Sequence, residues 1–193
     1  EESISQGTFS DIVSGGMYIF AIPGINSENK GSGTFALASG DAVQNDKRDY
    51  LLFDGQSATT DMVWTAEAME DGYSLKSAAT GTYLNIVKDG DALKLCMGKA
   101  QALQLEADGD KVIISREIDG ARYRARYTNS GEGGWQAAEW SAVNTSQFSV
   151  WIVGEAVSEP EVEQISPASI QVGETYVFAI DNINSDELGN GTY

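Results

Sequence analysis

Apolar and polar residues alternate at period two along most of the chain, in short runs separated by turn residues. One strand type reads Tyr18-Ile19-Phe20-Ala21, Tyr73-Ser74-Leu75-Lys76 and Val112-Ile113-Ile114-Ser115. A second follows a glycine: Gly33-Thr34-Phe35-Ala36-Leu37, Gly81-Thr82-Tyr83-Leu84-Asn85-Ile86 and Gly120-Ala121-Arg122-Tyr123-Arg124-Ala125. A third is Tyr50-Leu51-Leu52-Phe53, Leu93-Lys94-Leu95-Cys96 and Trp135-Gln136-Ala137-Ala138. The fourth is Trp64-Thr65-Ala66-Glu67, Leu103-Gln104-Leu105-Glu106 and Phe148-Ser149-Val150-Trp151. The breaks carry hairpin chemistry, as at Asp71-Gly72, Asp89-Gly90, Asp108-Gly109 and Asp119-Gly120. No window keeps helical periodicity for a dozen residues; Thr59 to Asp71 comes closest, and its Val63-Trp64 then Ala66 pattern fits a strand as well. The expectation is an all-β protein.

A longer repeat overlies this one. At an offset of 158, YIFAIPGINSENKGSGTF (18–35) matches YVFAIDNINSDELGNGTY (176–193) at ten of 18 positions without a gap. Ile12 and Gly15 recur as Ile170 and Gly173. The duplication predicts one whole domain, 1–154, and the first strands of a second, truncated copy, 168–193, with the natural protein continuing beyond. Between them, 155–167 carries Glu155, Glu159, Glu161 and Glu163 with Pro160 and Pro167, the composition of an extended acidic linker.

Three units of four strands resemble the β-trefoil family, in particular its ricin-type and fascin-type domains. The resemblance covers roughly 14–154 and rests on GTF, GTY and GARY at the second strands and on WTAE, LQLE and FSVW at the fourth. It implies a six-stranded barrel plus three hairpins, filled by Tyr18, Phe20, Tyr73, Leu75, Val112, Ile114, Trp64, Leu103 and Phe148. An immunoglobulin-like sandwich is the competing fold; it calls for about seven strands and no threefold recurrence. The resemblance also implies sugar binding, with an acidic residue after each second strand. Those positions read Ala36, Asn85 and Arg124, of which Asn85 supplies an amide, and the Gln-x-Trp mark of ricin-type lectins is absent.

Composition narrows the chemistry. Twelve Lys and Arg against 29 Asp and Glu give a net charge of −17, which repels nucleic acid and anionic membrane surfaces. The absence of histidine excludes Ser-His-Asp and Cys-His catalysis and His-ligated metal. Cys96 has no partner for an internal disulfide and reads as a small, partly buried filler. No apolar stretch is long enough to cross a bilayer as a helix, so no membrane insertion is expected. The opening Glu1-Glu2-Ser3 reads as a chain trimmed of a leader, or as the start of an expressed piece. Asp89-Gly90-Asp91 and Asp108-Gly109-Asp110 are hairpin turns without further calcium ligands. Neither metal nor cofactor is expected. Asn144-Thr145-Ser146 and Asn190-Gly191-Thr192 match a glycosylation sequon, which carries no meaning in a bacterial source.

The third unit is the most unusual. Arg122, Arg124 and Arg126 alternate with Tyr123, Ala125 and Tyr127, so the three guanidiniums share one strand face. A glycine-rich stretch from Thr128 leads to Trp135 and Trp140. Tyr127, Asn129, Trp135, Trp140 and Arg124, with Asn85, make a candidate platform for a glycan or an anionic ligand. The alternative makes the tryptophans plugs of the barrel and the arginines surface partners of the abundant acids. The chain therefore reads as a non-catalytic binding module of a secreted or cell-surface bacterial protein with several domains, with glycan as the ligand. The other reading is a protein-protein interaction or structural spacer domain that contacts another surface protein. The acids fall in no motif that marks an enzyme.

Overall fold

The computed structural model describes residues 2–27, 31–39, 52–128, 134–140, 146–155, 183–185 and 189–191. The chain divides into two units, Glu1–Ala156 and Val157–Tyr193. The described residues are built almost wholly of strands; the helical segments among them are two short 3-10 turns, Phe9–Asp11 and Thr60–Met62. The second turn and a strand from Trp64 occupy the window where the helical pattern was closest.

In the first unit the strands are β1 (Glu2–Gly7), β2 (Met17–Ser27), β3 (Gly31–Ala36), β4 (Trp64–Met69), β5 (Gly72–Ser77) and β6 (Tyr83–Asp89). They continue with β7 (Ala92–Gly98), β8 (Gln104–Asp108), β9 (Lys111–Ile118), β10 (Ala121–Thr128), β11 (Gly134–Glu139) and β12 (Ser149–Glu155). Six of them pair in a closed round. β2 pairs β4 at Tyr18↔Trp64, β4 pairs β5, and β5 meets β8 at Tyr73↔Leu103. β8 then pairs β9, β9 meets β12 at Val112↔Phe148, and β12 returns to β2. The same contact between a unit's first and fourth strands thus recurs three times. In the second and third units it is made by two reciprocal backbone hydrogen bonds of 2.8–2.9 Å.

The remaining strands form one hairpin per unit: β6 with β7, β10 with β11, and β3 bridged to the next segment at Phe35↔Leu52. β1 lies outside the round on β12, from Glu2↔Glu155 to Gly7↔Val150. Alternation does not reveal β1, because ESISQG holds a single large apolar residue. Its pairing takes β12 through Glu155, one residue into the expected linker; 156–167 lies outside the described residues.

The inward positions make one core that includes Tyr18, Phe20, Trp64, Leu75, Leu103, Val112, Ile114 and Phe148, all buried. Tyr73 is only half-buried; its ring packs against this core while its hydroxyl reaches out to the Ile12 carbonyl at 3.4 Å. Two buried indoles satisfy their N–H on adjacent carbonyls: Trp64 Nε1 donates to Leu37 O at 2.8 Å and Trp135 Nε1 to Ala36 O at 3.1 Å. Both bonds anchor the end of β3, beside the Leu37 N–H that donates to Phe20 O at 2.8 Å. A second cluster, with Ile19, Ala21, Phe53, Met62, Val63 and Val153, lies on the opposite face of β2 and β12.

In the second unit, β13 (Ile183–Ser185) pairs β14 (Gly189–Gly191) at Ile183↔Gly191, Asn184↔Asn190 and Ser185↔Gly189. Subtracting 158 from each number gives Ile25↔Gly33, Asn26↔Ser32 and Ser27↔Gly31, the register of the β2–β3 hairpin tip. The duplicated sequence therefore makes the same hairpin twice.

Gly72 offers a test of the recurring contact. It sits at φ +136°, and a Cβ there would run into the backbone oxygen of Leu103, the atom that accepts from Tyr73 N. Gly72→Ala should cost about 3 kcal/mol or more, combining left-handed strain with a backbone clash. Gly90→Ala is the control: its φ is +60° and a Cβ there meets nothing within 4 Å. That change should cost about 1 kcal/mol. Urea unfolding of both variants compares them, and equal losses would mean that the β5–β8 contact is not tight.

Candidate functional site

β10 positions the candidate residues by simple alternation. Tyr123, Ala125 and Tyr127 are buried in the core. Arg122, Arg124 and Arg126 stand on the opposite face, the outer two partly exposed and Arg124 buried. Register brings neighbours onto that face from both sides: Ser115 of β9 and Ala138 of β11 flank Arg124, while Gln136 of β11 lies opposite Arg126. Trp140 follows β11, and its N–H donates to Arg122 O at 2.8 Å, continuing the ladder by one step.

Two of the three guanidiniums are held. Arg122 donates from Nε and Nη2 to Ser115 Oγ at 3.2 and 3.1 Å and from Nη2 to Glu106 Oε1, and its guanidinium carbon stands 3.7 Å from the centre of the Trp140 ring. With the Gln136 amide oriented so that its oxygen faces the guanidinium, Arg126 donates to it from Nε and Nη2 at 2.8 and 2.7 Å. Arg124 between them is 1% exposed, and its Nε and Nη1 are buried with no hydrogen-bond partner. Burial, and then the charge of Arg126, pull its pKa below the usual arginine value. The face can thus offer guanidinium donors, an amide and an aromatic ring to a ligand.

The other predicted residues are elsewhere. Trp135 and Tyr127 are 6% and 8% exposed and belong to the core, where Tyr127 sets its ring edge-on to Trp135 at 5.3 Å and Trp135 stacks on Phe148 at 5.5 Å. They therefore pack the interior beneath the arginine face. Asn85 lies on β6 opposite Cys96, outside the arginine row, and is buried with its Oδ1 unpartnered. Cys96 itself is half-buried and free. Asn129 lies outside the described residues. The face brings together Arg124 and Trp140 of the predicted set and adds Arg122, Arg126, Ser115 and Gln136. The arginine alternation was the signal for the first two additions; Ser115 and Gln136 needed the strand register.

A shallow hollow of about 440 Å³ lies in the first unit against Gly33, Thr34, Leu52, Phe53, Asp54 and Ser57. The Asp54 carboxylate accepts from Gln56 N and Ser57 N at 2.8 and 2.7 Å, which holds its pKa below the usual range. These bonds shape a turn, and nothing in the alternation pattern announces the hollow. Among the described residues no three or more Cys, Asp or Glu side chains gather as metal ligands.

No family model matches the chain, and no curated protein does. Among solved structures it is similar to a ricin B-like lectin of Macrolepiota procera, determined in complex with lactose, with a TM-score of 0.48 and 14% identity. The likeness covers 75% of this chain and 99% of that one.

The two tryptophans should separate cleanly. Trp135→Ala should cost about 3–5 kcal/mol, as expected for emptying an aromatic core position. Trp140→Ala should cost about 1 kcal/mol or less, the worth of a partly exposed cation–π stack. Chemical denaturation of both variants measures the difference, and a comparable loss at Trp140 would place it in the core.

Proposed function

We propose that this chain is a non-catalytic, carbohydrate-binding module of a secreted or cell-surface bacterial protein. In this reading 1–154 is a β-trefoil domain, 155–167 an acidic linker and 168–193 the opening of a second copy. The threefold recurrence of the first-to-fourth strand contact and its closed round support the trefoil; the hairpin repeated in one register supports the copy.

The observation that carries the binding role is the outer face of β10 and β11. A half-exposed Trp140 there is locked against Arg122, beside the Arg126–Gln136 pair. Sugars are held by an aromatic surface for their C–H face and by planar donors and acceptors for their hydroxyls. Fixing those groups beforehand lowers the ordering cost of binding. Two copies of a weak site on one protein would gain affinity through effective concentration.

A glycan array probed with the full chain, followed by calorimetry on the hits, tests the reading. Trp140→Ala should weaken binding at least tenfold while the fold persists. Failure of every glycan on the array to bind would reject the function, and unchanged affinity in Trp140→Ala would move the site away from this face.

A further inference from the structure

We infer that the ligand of this face is an acidic glycan, and that the guanidinium of Arg124 receives its carboxylate or sulfate. The inference rests on the glycan-binding reading of the same face and deepens it.

The starting point is the one guanidinium of the row with two N–H-bearing nitrogens, Nε and Nη1, buried without a hydrogen-bond partner. Arginine remains charged at any accessible pH, and an unpaired buried charge is strongly unfavourable. Among the described residues no acid pairs it; Arg124 is 1% exposed with Nε and Nη1 both unpartnered. By contrast Arg122 has Glu106, Ser115 and Trp140, and Arg126 has Gln136. The missing partner is thus confined to the central residue.

Its surroundings fit an anion supplied from outside. The residues that flank Arg124 across the sheet are small, Ser115 on one side and Ala138 on the other. The bulky neighbours stand at the four corners: Arg122 and Trp140 toward one end, Arg126 and Gln136 toward the other. All four are only partly buried, so solvent reaches the rim around Arg124 at both ends. Three of the chain's 12 cations fall within five residues here, which makes the spot locally positive on a chain of net charge −17. A guanidinium binds carboxylate and sulfate through paired, charge-assisted hydrogen bonds. Because Arg124 is already stripped of water, an oxyanion gains that bond without paying again to dehydrate the cation.

The test uses the full chain and three matched oligosaccharides: a hexuronate, its neutral hexose counterpart and a sulfated counterpart. Calorimetry at low salt should show at least one acidic form binding ten times or more tighter than the neutral form, with the two acidic arms telling carboxylate from sulfate. Arg124→Met should abolish that preference. Its melting temperature should stay level or rise, because an apolar isostere removes an unpaired buried charge. Equal affinity for acidic and neutral forms would overturn the inference and leave the glycan reading standing. Binding of none of the three, with other glycans also silent, would take both down. A fall of several degrees in melting temperature for Arg124→Met would show that the guanidinium is satisfied within the protein, and would also overturn the inference.

Discussion

The pairing of β12 with β2 is the contact on which the Glu1–Ala156 unit depends. It joins Ser149–Val153 to Met17–Ala21, segments well over a hundred residues apart, and closes the round of six strands. An open round would leave two bare strand edges and would uncover Phe20, Val150 and their neighbours, which are completely buried. Closure of so long a loop carries an entropic cost that only the assembled interior can offset. Formation of the unit should therefore be slow and cooperative, with the local hairpins β6–β7 and β10–β11 free to form early.

Aromatic residues make closure worthwhile. Phe35, Tyr127, Trp135 and Phe148 come from four different strands or their ends and stack in sequence, edge to face and then face to face. Trp135 and Trp64 add hydrogen bonds to consecutive carbonyls at the end of β3. An aromatic core with satisfied N–H groups fixes one arrangement, where a purely aliphatic one would tolerate several. The candidate site benefits directly, because Tyr127 and Trp135 pack the underside of the two strands whose upper face bears the arginines.

Period-two alternation made nearly all the strands legible, since each buries one face and the glycine turns mark their ends. It also put Arg122, Arg124 and Arg126 together before any coordinates. It could not tell which face of β10 turned inward, because tyrosine serves equally as core and as ligand platform; Tyr127 was therefore assigned to the surface when it lies inside. Trp135 poses the same choice between platform and plug, and its burial against Phe148 makes it core. The absent partner of Arg124 is a property of three strands at once and leaves no mark on any single one. β1 was missed because edge strands need no hydrophobic stripe.

That last strand has a bearing on solubility. β12 reads Ser-Val-Trp-Ile-Val, a β-prone, uncharged run of the kind that recruits other chains when its edge is open. β1 covers that edge, and in doing so it exchanges the sequence shown to the outside. The new border presents Ser3, Ser5 and Gln6, all exposed, in place of valine and isoleucine. The six residues of β1 thus put a largely polar strand over an edge prone to fibril-like stacking.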